Sequence, residues 1–322
     1  MRASRQFIII IIILAVTILA CAPRAAVADG WPARQVNIVL SFASGGVMDF
    51  VTRSVAQNLT EQLGQNFVVE NKQGGGGVVG AQSVARATAD GYTFLVTAIG
   101  PIVFRPMMAP EPGFDTDRDF VPVIMLGDTP NAILANPNLG LNTIADLVAY
   151  AKRNDNRISI GHPGVGTMGE YCGAMLARKI RVDGNLIAYR GAAAVVTDLL
   201  GGQIDIGTPA YGPGAGAVKI LAVGSSERVA ALPDVPTLKE SGVPMQCETW
   251  IAIFAPAGVP RGIVNRMNAA INAYLDKTET RAAFAKAGVR VLGGSPERLR
   301  DQVIADRVMW KPIVSGARPA AQ

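Results

Sequence analysis

From residue 30 onward the hydrophobic positions alternate between two rhythms. Residues 36–42 are an apolar run rich in β-branched side chains, which predicts a buried strand. Residues 50–63 carry Val51, Val55, Leu59 and Leu63 at the spacing of one helix face, and Gly64 stops that helix. The alternation then repeats. A strand over 67–69 leads through a glycine run to a helix over 79–87, a turn at Asp90-Gly91 and a strand over 92–97. Two further strands, 121–126 and 132–135, flank Asp128-Thr129-Pro130. Strands separated by helices of this length predict a parallel sheet with crossover helices.

A second series follows. Thr143 as N-cap and Asp146 in the first turn open a helix over 143–154. After it come a strand over 158–160, a loop over 161–166, a helix over 167–180, a strand over 186–189 and a helix over 192–200. Strands over 204–206 and 220–223 complete the series, residues 250–255 return as a strand, and the tail predicts helices over 260–276, 279–287 and 296–313. The whole reads as α/β with two lobes, each a mainly parallel sheet flanked by helices. The chain crosses between them near 126–131 and 245–250. One lobe comprises residues 29–127 and 249–322, the other 128–248. Such a layout places a ligand between the lobes.

The first 28 residues follow a different pattern. Arg2 and Arg5 precede an apolar run from Phe7 to Ala20, and Ala26-Val27-Ala28 follows it. A basic start, a short apolar core and an A-x-A site read as a secretory signal peptide. A retained anchor and a lipid on Cys21, after Ile18-Leu19-Ala20, are the alternatives. Removing the segment takes Arg2, Arg5 and Arg24 from a net charge of +5 and leaves +2. No clustered Lys/Arg then remains, which argues against a nucleic-acid partner. One His and three Cys exclude a multi-His or four-Cys zinc site, and no metal is expected. Cys172 and Cys247 would face an oxidising compartment, where either a disulfide or two buried thiols is possible.

Three glycine-bearing loops follow strands and open helices: Ser41 to Gly46, Gly74 to Gly80, and Gly161 to Thr167. Each presents backbone N–H groups and a positive helix end at a sheet edge, a site for a carboxylate or phosphate. Gly75-x-Gly77-x-x-Gly80 matches the dinucleotide fingerprint in form. The next strand lacks the acidic residue that would hold a ribose, so no cofactor is expected. His162 is the only His, and no Gly-x-Ser-x-Gly elbow accompanies it, so no catalytic residue is assigned. Asp49 suits helix capping and ligand contact equally.

These residues resemble the receptors of tripartite tricarboxylate transporters, the Bug-type periplasmic solute-binding proteins. The stretches that carry the resemblance span nearly all of the chain after residue 28. They include Trp31-Pro32, Gly45-Gly46 with Asp49, Val68-Val69-Glu70-Asn71, the Gly74 to Gly80 loop and Asp90-Gly91-Tyr92-Thr93. In the second half they include Gly164-Val165-Gly166-Thr167, Tyr189-Arg190-Gly191, Leu200-Gly201-Gly202-Gln203-Ile204-Asp205, Leu232-Pro233-Asp234-Val235-Pro236-Thr237 and Phe254-Ala255-Pro256-Ala257-Gly258. The resemblance implies a type II-like venus-flytrap fold. It also implies capture of a small organic acid and delivery to the large and small membrane subunits of a tripartite permease. A monomer in the periplasm is expected.

By the same resemblance, backbone amides and waters at Phe42, Ala43, Ser44, Gly45 and Gly46, and at Gly75, Gly76, Gly77, Val78 and Val79, hold a ligand carboxylate, with Asp49 a further candidate for ligand contact. His162, Pro163, Gly164 and Thr167, with Thr208 after Asp205, contribute from the second lobe. Two departures stand out. His162-Pro163 replaces the small serines usual in the family, and residues 205–219 are shorter and richer in Gly and Ala. Tyr211 is expected to fill part of the space so left. A secreted α/β hydrolase and a sensor subunit for a signalling receptor are the competing readings.

Overall fold

The computed structural model describes residues 30–108, 113–212 and 218–316. The segment read as a signal peptide, with Cys21, lies outside them. Eleven strands are described: β1 (Val36–Leu40), β2 (Phe67–Asn71), β3 (Thr93–Ala98), β4 (Phe120–Pro130), β5 (Ala132–Ala135), β6 (Arg157–His162), β7 (Asp183–Ala188), β8 (Ile206–Gly207), β9 (Lys219–Val223), β10 (Glu248–Pro256) and β11 (Arg290–Val291). They form two sheets, ordered β11-β4-β10-β3-β1-β2 and β7-β6-β8-β5-β9. In each, one half is parallel: β1 with β2 and β3, and β6 with β7 and β8. The strands next to the crossings run antiparallel, β10 with β3 and β4, and β5 with β8 and β9. The chain leaves the six-stranded lobe on β4 and returns beside it on β10, which forces that pairing.

Eight longer helices cover the sheets: α1 (Val47–Leu63), α2 (Val78–Ala85), α3 (Ile144–Arg153), α4 (Met168–Ile180), α5 (Ala192–Leu200), α6 (Arg261–Leu275), α7 (Thr278–Lys286) and α8 (Pro296–Gly316). β1 is buried at every position but Asn37, as expected of a strand covered on both faces. α1 starts three residues before the apolar spacing predicts, so Gly46 is its N-cap and Asp49 lies in its first turn. α3 has the full capping box, with Thr143 accepting from the Asp146 N–H and Asp146 accepting from the Thr143 N–H. Such a cap is worth about 1 kcal/mol.

The sequence pattern breaks at Asp128-Thr129-Pro130, yet β4 continues through it. β10 holds these residues in register, Glu248 facing Pro130 and Trp250 facing Asp128. Gly100–Phe104 and Arg105–Met108 are helical without any sequence signal for it. Long-range packing fixes them. The Phe104 ring lies 4.6 Å from that of Tyr171 on α4 and 5.1 Å from that of Trp310 on α8.

Asn131 is the junction of the two crossings. Its N–H donates to the Cys247 carbonyl and its carbonyl accepts from Gly224, both at 2.8 Å. Its side chain donates to the Thr208 carbonyl and accepts from the Thr249 hydroxyl, both at 2.9 Å. Cys247 is also joined to Cys172 of α4 by a disulfide with Cα atoms 5.6 Å apart. The thiol pair left open by the sequence is therefore a bridge, and it ties α4 to the crossing.

Candidate functional site

A cavity of about 250 Å³ lies between the lobes. Three helix starts converge on it. Gly46, Val47 and Met48 come from α1 in the six-stranded lobe; Thr167, Met168 and Gly169 come from α4 and Gly191, Ala192 and Ala193 from α5 in the five-stranded lobe. The first N–H groups of a helix have no acceptor within it, and the aligned peptide dipoles make that end positive. The N-caps of α1 and α5 are Gly46 and Gly191, which supply no capping side chain. The first turns of these two helices are thus without a side-chain cap. Among the described residues, no Asp, Glu, Lys, Arg or His lines the cavity. Its polar side chains are Ser44, Asn131, Thr167 and Thr249, and its walls include Phe42, Met48, Ile99, Met168 and Val196.

The chain behind each loop explains why the loop is held. In the first, the Gly45 N–H donates to Asp49 Oδ2 at 3.1 Å. Asn71 Nδ2 donates to both Asp49 Oδ1 and the Phe42 carbonyl, each at 3.1 Å, and Arg53 Nε donates to Asp49 at 3.0 Å. Burial pushes the Asp49 carboxyl up, but the bonds from Arg53, Gly45 and Asn71 outweigh it and hold the group below its ordinary range. Asp49 therefore braces the loop and does not line the cavity. The Gly161 to Thr167 loop repeats the device. The Gly166 N–H donates to Glu170 Oε2 at 2.6 Å, again four residues on and in the first turn of a helix.

His162 ends β6 and is buried, 2% exposed. Its Nδ1 lies 3.0 Å from the Gly164 carbonyl, which can only accept, so Nδ1 carries the proton. The Thr167 hydroxyl donates to the same carbonyl at 2.6 Å. Burial lowers the imidazole pKa, against the opposing pull of Glu170 and the Gly164 carbonyl. Thr208 stands behind α4, its hydroxyl donating to the Gly169 carbonyl at 2.7 Å. The loop before α5 is tied to the Gly161 to Thr167 loop, as Tyr189 N–H donates to the His162 carbonyl and Gly191 N–H to that of Pro163. Tyr189 also donates its hydroxyl to Asp198 at 2.7 Å, and burial with that bond raises its phenol to about 12.

Of the residues expected at the site, Phe42, Ala43, Ser44, Gly45, Gly46, Pro163 and Thr167 line the cavity. Asp49, His162, Gly164 and Thr208 form the layer behind it. Gly75, Gly76, Gly77, Val78 and Val79 do not line it. Gly77 packs on Pro101 and the Phe42 ring, Val78 joins the core, Val79 is exposed, and Gly76 meets the other lobe at Val165. Gly80, third glycine of the fingerprint, lets α2 approach Ser41 closely, which is a packing role. Tyr211 is a filler, buried against Gly288.

The sequence reading missed Asn131, Thr249, Ile99 and the Gly191-Ala192-Ala193 start of α5. The last had a usable signal, a glycine between a strand and a helix, as in the other loops. Asn131 and Thr249 are brought together only by the crossing strands. Among the described residues no His, Cys, Asp and Glu group is arranged to hold a metal ion, and no helix is long and apolar enough to cross a membrane.

The sequence matches the model of the tripartite tricarboxylate transporter family receptor over residues 51–317. Three solved structures are similar over most of the chain. "R. palustris Rpa4515 with adipate" is 31% identical, covers 89% of this chain and 98% of its own, and superimposes with a TM-score of 0.85. The periplasmic binding protein BugD is 34% identical, with coverages of 89% and 98% and a TM-score of 0.83. MatC from Rhodopseudomonas palustris, with bound malate, is 30% identical, with coverages of 88% and 100% and a TM-score of 0.81.

Proposed function

The chain belongs to the tripartite tricarboxylate transporter receptor family, and from that premise we propose that it captures an organic acid between its lobes and hands it to a membrane permease of one large and one small subunit. The carrying observation is the convergence of three helix starts, from both lobes, on a cavity without a charged side chain among the described residues. A carboxylate needs N–H donors and a positive potential, and the helix starts supply both. The acid's body meets the apolar walls. Similar proteins are described with adipate and with malate, which are both dicarboxylates.

The same cavity disfavours an ammonium group. Among the described residues no carboxylate lines it, and burying an unpaired cation is costly. The ligand is thus an acid without an amino group. The protein works as a monomer in the periplasm, exported by its first 28 residues, with lobes of residues 29–127 with 249–322 and 128–248. The crossings at Asn131 and Cys247 support those bounds. Catalysis forms no part of this reading. The hydrolase alternative rested on His162, which lies behind the cavity wall and is bonded to Gly164.

A thermal-shift screen tests the reading. Binding to the native state alone raises Tm. At least one di- or tricarboxylate is expected to raise it, and the 2-amino derivative of the same acid to raise it less. A response confined to neutral sugars, or a larger response to the amino derivative, contradicts it.

A further inference from the structure

The glycine loop at Gly74–Gly77 opens α2 but is not part of the cavity wall, and the receptor reading leaves it without a role. Its position supplies one. Gly76 has φ +64°, and a methyl group on it would overlap the carbonyl oxygen of Val165 in the other lobe. Gly100, where β3 gives way to the helical segment, makes an equivalent contact. A methyl group there would sit 2.5 Å from the Gly166 carbonyl oxygen and 3.4 Å from Thr167 Cα. All three nearest atoms to that methyl belong to the five-stranded lobe. Gly100 also lines the cavity, as does Thr167, so this contact adjoins the ligand.

The facing loop is held in place from behind. His162 and Thr167 both donate to the Gly164 carbonyl, and Glu170 accepts from the Gly166 N–H. The carbonyls of Val165 and Gly166 are therefore presented to the opposite lobe by a fixed loop. Two glycines on one lobe meet two carbonyls on the other, with no room for a side chain.

We propose that Gly76 and Gly100 are positioning residues for lobe closure, forming with the Val165 and Gly166 carbonyls a backbone seam that must shut for the three helix starts to surround the acid. This rests on the receptor reading. The seam makes ligand affinity depend on the absence of two methyl groups whose three nearest atoms all belong to the opposite lobe. Gly100 has no positive φ, so alanine there is unstrained in an open molecule. Its whole effect falls on the closed state. Where the binding-competent state is depopulated, apparent affinity falls in proportion.

The test uses the exported chain with spin labels at Gln57→Cys on α1 and Lys152→Cys on α3, one on each lobe. Distance distributions are recorded for the otherwise native chain, G100A, G76A and the control G201A. Each is measured alone and with excess adipate or malate. The native chain and G201A are expected to populate the separation of the closed structure. G100A is expected to lose that population under every condition, while keeping the native Tm without ligand and binding the acid at least about tenfold more weakly. G76A should do the same, with a lower Tm from its left-handed backbone. Retention of the closed separation in G100A, or its absence in the native chain throughout, overturns the seam. A native chain that closes but whose Tm no acid raises would contradict the receptor reading instead, and leave the seam standing.

Discussion

Two acids in equivalent places show how single residues shape the site. Asp49 and Glu170 each stand four residues after a loop glycine and accept its N–H, turning flexible glycine backbone into a fixed edge. For Asp49, the sequence allowed a ligand contact as readily. What decides is Asn71, far away along the chain, which reaches both Asp49 and Phe42. No local pattern announces that partner. His162 stood out in the sequence because it is alone, and the structure moves it from the pocket to the brace behind it. Its lowered pKa has a consequence for stability. The unfolded chain takes up the proton near the ordinary value of 6.5, whereas the folded chain resists it. Stability contributed by the neutral ring is present above about pH 6.5 and is lost as pH falls from there toward the folded value. Urea unfolding across pH 5 to 8 is expected to show that slope in the native protein. H162N, which keeps a donor toward Gly164, should flatten it; an unchanged slope would place its origin elsewhere.

Elements were legible where their cause is local. The helix at Thr143 was marked by its capping pair, and the strand at Val36 by its apolar run rich in β-branched residues. Gly46, Thr167 and Gly191 each precede a helix as N-caps, and the strand–glycine–helix pattern located the Phe42–Gly46 and Pro163–Thr167 parts of the cavity wall but not the Gly191 part. Elements held from a distance were not legible. Gly100–Phe104 depends on Tyr171 and Trp310, and the two-residue β11 exists only through its pairing with Asp128 and Gly127 on β4. The disulfide belongs at this scale too. It closes a loop of 75 residues and anchors α4, one of the three helix starts, to the crossing strand. Reduction is expected to lower unfolding free energy by about 2–4 kcal/mol in denaturant titrations. No change on reduction, with free thiols verified, would show that α4 is held without the bridge.

The molecule as a whole is two sheets joined by two adjacent strands, with its cavity assembled from both sides. The repeated strand–helix series reads in the sequence as two lobes, and the chain passes from one sheet to the other between β4 and β5 and back between β9 and β10. The identity of the wall did not follow. Ala43, Asn131, Gly191 and Thr249 come from well-separated stretches, and only the tertiary fold brings them around one space. That space has positive helix ends and, among the described residues, no charged side chain; its polar side chains are Ser44, Asn131, Thr167 and Thr249. The most direct measurement is a crystal structure with the acid that raises Tm most. The account predicts carboxylate oxygens about 3 Å from N–H groups at the starts of α1 and of α4 or α5, with the lobes closed over the acid. A carboxylate paired instead with a Lys or Arg side chain outside this cavity would contradict it.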